Sequence, residues 1–286
     1  VVGAGGLGSP ALLYLASAGI GRITVCDGDA VELSNLQRQI AHRMETLGVN
    51  KAVSAKATLA DLNPEIEIEA IARRLDPGDL DAQVQTADVV LDCSDNFATR
   101  HAVNRACVRH GRPLVSGAAI RFDAQVAVFD RRRSDAPCYH CLFPEAAGDA
   151  DERCAVTGVF APLTGIVGAV QAAEAIKLIA GTGQSLSGRL QLLNALTMDL
   201  VDRTFEICDR VLHKEGSLHA LPVKLKPNGA GRASVGQASW QAVRISPSAT
   251  PRRLTTICWN SSGEMMRPTK RIFFSSISPR TLNSTI

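Results

Sequence analysis

The chain lacks a second CxxC. Cys138-Tyr139-His140-Cys141 sets two thiols at the spacing of half a four-thiolate zinc site, yet the downstream cysteines, Cys208 and Cys258, lie fifty residues apart and form no matching pair. Eight cysteines in 286 residues are too sparse for a disulfide scaffold. One CxxC among lone cysteines suits the reducing cytoplasm, with thiols used for metal or chemistry. No run of roughly eighteen apolar residues occurs, so no membrane span is expected. The opening Val1-Val2-Gly3 has neither an initiator Met nor a basic leader region. It does not read as a signal peptide. It reads as the middle of a strand, and the expectation is that the true N-terminus lies further upstream. No internal repeat is visible.

A hydrophobic content of 45% over 286 residues describes a globular chain, long enough for one large α/β domain with an extension. The net charge of +3 hides an asymmetry. Residues 1–208 carry 19 Lys+Arg and 25 Asp+Glu, a net of −6, whereas residues 209–286 carry 12 and 3, a net of +9. The last sixty residues are rich in Ser, Pro, Thr and Arg with little periodicity. Such a tail can serve nucleic acid or acidic partners. The simpler reading is a poorly structured or non-native extension, with no nucleic-acid partner. The expected division is a nucleotide-binding domain over residues 1–206 and a divergent basic tail over 207–286.

Strand and helix signals alternate over the first 130 residues. Val1-Val2 ends a strand, and Gly3 to Gly8 form a turn. Ser9-Pro10 sit where a helix cap and first helical position belong, ahead of a helix through Ala18. Arg22–Cys26 is a short buried strand. Residues 50–62 form a helix closed by Asn63-Pro64. Ile66 to Ile71 alternates as a strand, and Ala87 to Cys93 is a buried strand. A helix over 96–110 stops at Gly111, and strands follow at 113–116 and 124–129. The β-α-β-α order predicts a Rossmann-like, mostly parallel sheet with helices on both faces. Residues 136–157 look irregular. A long helix over 162–180, rich in Gly and Ala, suits close packing. It could pass for a short membrane segment, but Glu174 and Lys177 interrupt it. Residues 188–206 look like a terminal strand pair, and no element stands out after 206.

Gly3-Ala-Gly5-Gly6-Leu-Gly8 fits GxGxxG between a strand and a helix, where bare backbone amides and a helix N-terminus accept phosphate. Asp27 closes the second strand, where an acid meets ribose hydroxyls. These residues alone do not separate NAD from ATP. The segment Asp27 to Gln39 is dense in polar groups beyond a strand end, where open α/β sheets bind ligands. Arg38 can contact phosphate bidentately, and Lys51 adds a second cation. Asp95, in Asp92-Cys-Ser-Asp-Asn96, is a plausible Mg²⁺ ligand, since hard cations on nucleotides take carboxylate oxygens. Singly, each of Arg38, Lys51 and Asp95 also reads as an ordinary surface charge or helix cap. Together, at successive strand ends, they point to a nucleotide and metal. Cys26, Cys93 and Cys107 lie in apolar contexts and read as buried small hydrophobes.

In chain order, Gly3-Ala-Gly-Gly-Leu-Gly8, Ser34-Asn-Leu-Gln-Arg-Gln39, Asp92-Cys-Ser-Asp-Asn96, Cys138-Tyr-His-Cys141, Cys154-Ala-Val-Thr-Gly-Val159 and Ala173-Glu-Ala-Ile-Lys177 resemble the E1-like adenylyltransferases of sulfur-carrier activation (the ThiF/MoeB/HesA family). The resemblance covers about residues 1–206. It implies ATP-dependent adenylylation of the C-terminal glycine of a small ubiquitin-like sulfur-carrier protein ending in Gly-Gly, in thiamin or molybdopterin biosynthesis, with release of pyrophosphate. By the same resemblance Gly6 approaches the phosphates and Asp27 holds the ribose. Ser34 lies in the motif that supplies Asn35 and Arg38 to phosphates. Lys51 meets the triphosphate, Asp95 holds Mg²⁺ and Asn96 lines the nucleotide pocket. Cys154 matches a cysteine that bonds covalently to the carrier or its sulfur in thiamin-branch members and is not needed for adenylation in the molybdopterin branch. It also reads as a passive loop cysteine, although Arg153 can lower its pKa. A homodimer through faces near the 162–180 helix is implied as well.

Two departures from the family pattern stand out. An N-terminal segment with an Arg-Tyr-Ser-Arg-Gln-like motif, whose arginine reaches a neighbouring subunit's nucleotide, has no counterpart before Val1. Where the family's second CxxC is expected, the chain reads Cys208-Asp-Arg-Val-Leu-His213. Zinc at Cys138 and Cys141 is then a structural expectation with its second ligand pair absent, unless Cys208 with His213 or His219 completes a Cys₃His set. A shifted reading frame near 207 would account together for the lost pair, the compositional break and the charge switch. Two other functions fit parts of the pattern. One is an NAD-binding Rossmann oxidoreductase, which does not need the Ser34–Gln39 and Asp92–Asn96 motifs. The other is a non-catalytic module that binds a ubiquitin-like protein.

Overall fold

A computed structural model describes residues 1–133, 136–145, 158–207 and 223–227. The chain divides into a unit over Val1–Gly236 and a second over Gln237–Ile286, the latter outside the described residues. The first unit holds helices α1 (Gly8–Ser17), α2 (Lys51–Leu62), α3 (Pro77–Thr86), α4 (Phe97–His110), a single turn α5 (Tyr139–Leu142) and α6 (Ala161–Ala180). Its strands are β1 (Arg22–Cys26), β2 (Glu67–Ile71), β3 (Val90–Asp92), β4 (Leu114–Ile120), β5 (Asp123–Phe129), β6 (Arg189–Asn194), β7 (Asp199–Ile207) and β8 (Val223–Pro227).

Val2 bridges Cys26 on one side and Asp92 on the other, both in parallel. Val1-Val2 thereby joins the parallel pair β1-β2 to the sheet β3-β4-β5-β6-β7-β8. The α/β class and the parallel nucleotide-binding half are as the sequence predicts. The pairing is parallel through β3-β4 and antiparallel from β4-β5 to β7-β8. The change follows from connection length. Only Arg121 and Phe122 separate β4 from β5, and two residues can join antiparallel neighbours but not parallel ones. Arg121 takes the positive φ of 52° that this turn needs.

Helices cover both faces. Leu91, Val115, Val126 and Val128 pack with α1, α2 and α6, whereas Val90, Leu114, Ala127 and Phe129 pack with α3 and α4. Alternate strand residues thus supply two cores, as the two-residue strand period requires. The small residues of α6 serve close packing within the chain. A Cβ on Gly168 would stand 2.3 Å from the Leu7 carbonyl oxygen at the start of α1, and one on Gly117 of β4 would meet the buried Gln171 side chain at 2.5 Å. By length and composition α6 could cross a membrane. Here half of its apolar window is buried, and its buried Glu174 pairs with Lys177 and accepts the Leu186 N–H at 2.7 Å.

The cap expected at Ser9-Pro10 is displaced: α1 already begins at Gly8 with Leu7 at its N-cap and no side chain capping it, because the glycine turn closes directly into the helix. The other helix ends lie close to the expected bounds. Asn50 accepts from the Ala52 and Val53 amides, Asn96 caps α4, and Gly111 and Gly181 end α4 and α6 in left-handed conformation. Two elements go beyond the sequence expectation. The α3 helix hides in Asp76-Pro-Gly-Asp79, which looks like a turn. Asp76 in fact accepts the Asp79 N–H at 2.8 Å and Pro77 fills a first-turn position, the arrangement of an N-cap followed by proline. The strand β8 adds to β7 past residue 206.

Candidate nucleotide site

The turn after Val2 is set by sterics. Gly3 has φ of 96°, and a Cβ there would lie 2.7 Å from the Cys93 carbonyl oxygen. A Cβ on Gly8 would fall 1.9 Å from the Gly3 carbonyl oxygen, so the first turn of α1 closes on the loop only with glycine at both places. Gly5 differs. A Cβ there would make an ordinary 3.6 Å contact with the Gln39 amide, so the protein itself tolerates a side chain. The missing atom instead leaves space in a cleft, which is what a phosphate cradle needs. Asp27 braces the loop from β1, taking the Ala4 N–H on Oδ2 and the Asp29 N–H on Oδ1, each at 2.8 Å.

One open cleft at the carboxyl ends of the parallel strands is lined by Gly3, Gly5, Gly6, Asp27, Arg38, Lys51 and Asp95. Seven sequence-predicted residues from five segments therefore meet there. Lys51, at the start of α2, is largely buried. Its ammonium lies 3.3 Å from Asp29 Oδ2, while Arg74 holds Oδ1 at 3.1 Å. Partial burial works against the Asp29 carboxylate's charge, but the Arg74 hydrogen bond and the Lys51 charge outweigh it and lower its pKa. Asp95 is exposed, and the Asn96 amide approaches its Oδ1 at a long 3.5 Å. Its oxygens suit Mg²⁺, which takes one or two carboxylates alongside nucleotide phosphates. Gln39 Oε1 is buried at the wall with no partner among the described residues, an acceptor that a bound ligand can satisfy.

The other expected residues stand behind this wall. Gly8 belongs to α1. Ser34 and Asn35 lie in a 3-10 turn over Leu33–Asn35. The Ser34 carbonyl accepts from Arg38 Nη1 at 3.3 Å and the Asn35 carbonyl from the Arg38 and Gln39 amides, so they hold the Arg38 segment in place. Asn96 accepts the Thr99 N–H at 2.9 Å. Three lining residues, Arg100, Ala119 and Thr164, lie outside every motif quoted from the sequence. Ala119 and Thr164 carry no distinctive spacing. Arg100 is a buried cation near the start of α4 that donates to the Ser94 carbonyl at 3.0 Å. Its signal was a positive charge close to a helix N-terminus, where the macrodipole disfavours one.

The thiol pair sits elsewhere, against α4. Cys138 and Cys141 sulfurs are 3.6 Å apart, close to the edge of about 3.8 Å that Zn–S bonds near 2.3 Å set in a tetrahedron. The two thiols share a hydrogen bond, and with the Asn104 amide donating to its sulfur Cys138 is the one lowered. The same shared proton, with burial, pushes Cys141 up. The described residues thus supply two fitting zinc ligands. Cys154, Cys208, His213 and His219 lie outside the described residues. Nearby, His101, His140 and Glu145 bring ligand atoms within 4.8 Å of one another, but Glu145 pairs with Arg105 at 3.2 Å. Cys93, pushed up to about 12 by burial, and Cys26 and Cys107, raised by the same cause, are the buried small side chains the sequence predicts.

Comparison with known proteins agrees with this geometry. A family model described as the ThiF family matches residues 1–210. The chain is 47% identical over 208 residues to the SAMP-activating enzyme E1 of Haloferax volcanii, covering 72% of this chain and 74% of that protein. It is 46% identical over 197 residues to the molybdopterin-synthase adenylyltransferase of Escherichia coli, covering 69% and 78%. Among solved structures, Escherichia coli MccB with ATP matches with a TM-score of 0.64 at 26% identity, covering 74% of this chain. The chain spans 64% of that MccB chain.

Proposed function

From a chain that belongs to the ThiF family, we infer an adenylyltransferase that uses ATP to activate the C-terminal glycine of a small sulfur-carrier protein. The observation that carries this reading is the convergence of Arg38 and Lys51 on the glycine loop, with Asp95 at the mouth of the same cleft. The relatives named as adenylyltransferases of molybdopterin synthase and of a sulfur carrier protein support it. The residues named for this activity lie within 1–206. No observation favours the oxidoreductase alternative.

In the proposed reaction a carboxylate oxygen of the carrier's terminal glycine forms a bond to the α-phosphorus of ATP. The α–β bridging P–O bond breaks, and pyrophosphate leaves with its electron pair. A carboxylate is already ionised at neutral pH and needs no base. The chain's task is to align the reactants and balance charge. The Gly5 and Gly6 backbone cradles phosphate, Asp27 receives ribose hydroxyls, and Arg38 and Lys51 stabilise charge on the triphosphate. Asp95 would hold Mg²⁺, which supplies further charge neutralisation when bound. Cys138 and Cys141 would hold a structural zinc away from the chemistry, and Cys154 is the candidate for a later covalent step. Among the described residues five cysteines are free and buried, which accords with a cytoplasmic location. A homodimer can form along α6, where Ile166 and Ile179 stay partly exposed.

Pyrophosphate exchange tests this reading. With ATP, Mg²⁺ and a Gly-Gly carrier, label should pass from pyrophosphate into ATP. A chain that binds the carrier yet gives no exchange is a binding module and not an enzyme. Running thiamin-branch and molybdopterin-branch carriers side by side identifies the partner.

A further inference from the structure

His42 does not itself line the cleft, but its amide donates to the carbonyl of the lining residue Gln39 at 3.0 Å and its side chain is tied to the loop that forms the cleft. The side chain is buried, with 6% of its surface exposed. Its Nε2 lies 2.8 Å from the Ala4 carbonyl oxygen and its Nδ1 lies 2.9 Å from Ser54 Oγ on α2. A carbonyl only accepts, so Nε2 carries the proton. Burial pushes the imidazole pKa down, which keeps the ring neutral and leaves Nδ1 an acceptor facing the Ser54 hydroxyl, whose single proton Thr46 Oγ1 also meets at 3.0 Å. The neighbouring Ala4 amide donates to Asp27 Oδ2 at 2.8 Å. Ala4 is therefore gripped on both polar groups, by Asp27 on its amide and on its carbonyl by His42 at 2.8 Å, with a longer 3.3 Å bond from the Ser9 hydroxyl.

The grip on the carbonyl has a directional result. The peptide between Ala4 and Gly5 is trans and planar, so its C=O and N–H point in opposite directions. A carbonyl held towards His42 turns the Gly5 N–H away from His42, and Gly5 is part of the cleft lining. Gly5 has no Cβ to restrict its backbone, so nothing within the residue resists a peptide flip. We propose that His42 is a positioning residue of the phosphate loop: anchored through Ser54 to α2, it fixes the Ala4 carbonyl and so keeps the Gly5 amide aimed at the ATP phosphates. The same helix begins with Lys51, so one rigid element sets both the amide and the ammonium. This inference rests on reading the cleft as an ATP site.

Calorimetric binding of ATP and of adenosine to the full chain tests it. Gln can place its Nε2 near the imidazole Nε2 position, whereas the shorter Asn reaches Ser54 but not Ala4. His42→Ala and His42→Asn should each weaken ATP binding about tenfold, the worth of one well-placed hydrogen bond, and leave adenosine binding unchanged. His42→Gln should stay within about threefold of the parent for ATP. A merely structural histidine would lower the thermal midpoint without separating ATP from adenosine. The inference is overturned if His42→Asn binds ATP as the parent does, if both ligands weaken equally, or if His42→Gln is as poor as His42→Asn. A parent chain that binds no ATP overturns the nucleotide reading as well, so the two failures are distinguishable.

Discussion

The glycine loop and the thiol pair are both built on short sequence motifs, but the fold treats them differently. Around the loop, each anchoring group is held by partners from distant segments. Asp27 and His42 grip Ala4, Asp29 holds Lys51, and Asn50 ties the start of α2 to the Asp27 and Asp29 carbonyls at 2.9 and 3.2 Å. Around the thiols, Cys138 and Cys141 have each other and Asn104, and His140 Nδ1 is buried without a partner among the described residues. A site whose parts come from many segments is fixed by the whole fold. A site whose described ligands come from one CxxC turn depends on what else joins it.

Four experiments sharpen or break this contrast. Lys51→Ala should have the largest effect, lowering pyrophosphate exchange by roughly 10²–10³-fold, the cost of removing one preorganised charge donor. A loss below tenfold would mean that the Asp29–Lys51 pair is structural. Gly8→Ala should cost at least about 3 kcal/mol of stability in a denaturant titration, because the new Cβ meets the Gly3 carbonyl and the loop cannot widen without leaving the strand. Replacing Cys138 and Cys141 together by Ser should leave ATP affinity within about twofold, as expected for a site that shares no partner with the cleft, while the thermal midpoint falls. A tenfold loss of ATP affinity would show that the two regions are coupled.

The smallest effect is one of pH. The unfolded chain protonates His42 near its ordinary value of 6.5, and the folded chain only at lower pH. Between the two the unfolded state holds more protons, so this group's contribution to stability is full above 6.5 and is lost as pH falls towards the folded value. Acidification from neutral pH should lower the thermal midpoint of the parent more than that of His42→Gln. Equal slopes would place the titration elsewhere.

Much of the nucleotide half was legible because it is local. The strand at Arg22–Cys26, the helix capped by Asn50 and the left-handed stop at Gly111 each depend on neighbours in sequence. The segment at Asp76-Pro-Gly-Asp79 was opaque for the opposite reason. Turn and helix start share those residues, and only packing against α4 selects the helix. Arg100 was missed because it is one of three arginines on α4, with Arg105 and Arg109, and no spacing sets it apart from them. Gly5 looked like Gly3 and Gly8 in the motif. Its separate duty, open space against close approach, depends on what faces it.

By itself, the sequence determined the parallel nucleotide-binding half, its helix stops at Gly111 and Gly181, the residue types at the strand ends and the family, because hydrophobic period, turn chemistry and motif spacing act over short stretches of chain. Only the tertiary structure decided which of those residues share a cleft, that Ser34, Asn35 and Asn96 brace its wall, that the sheet turns antiparallel at Arg121-Phe122, and that His42 reaches back 38 residues to Ala4. Those facts depend on directions in space. A hydrogen bond between distant segments leaves no period or spacing in the chain that makes it.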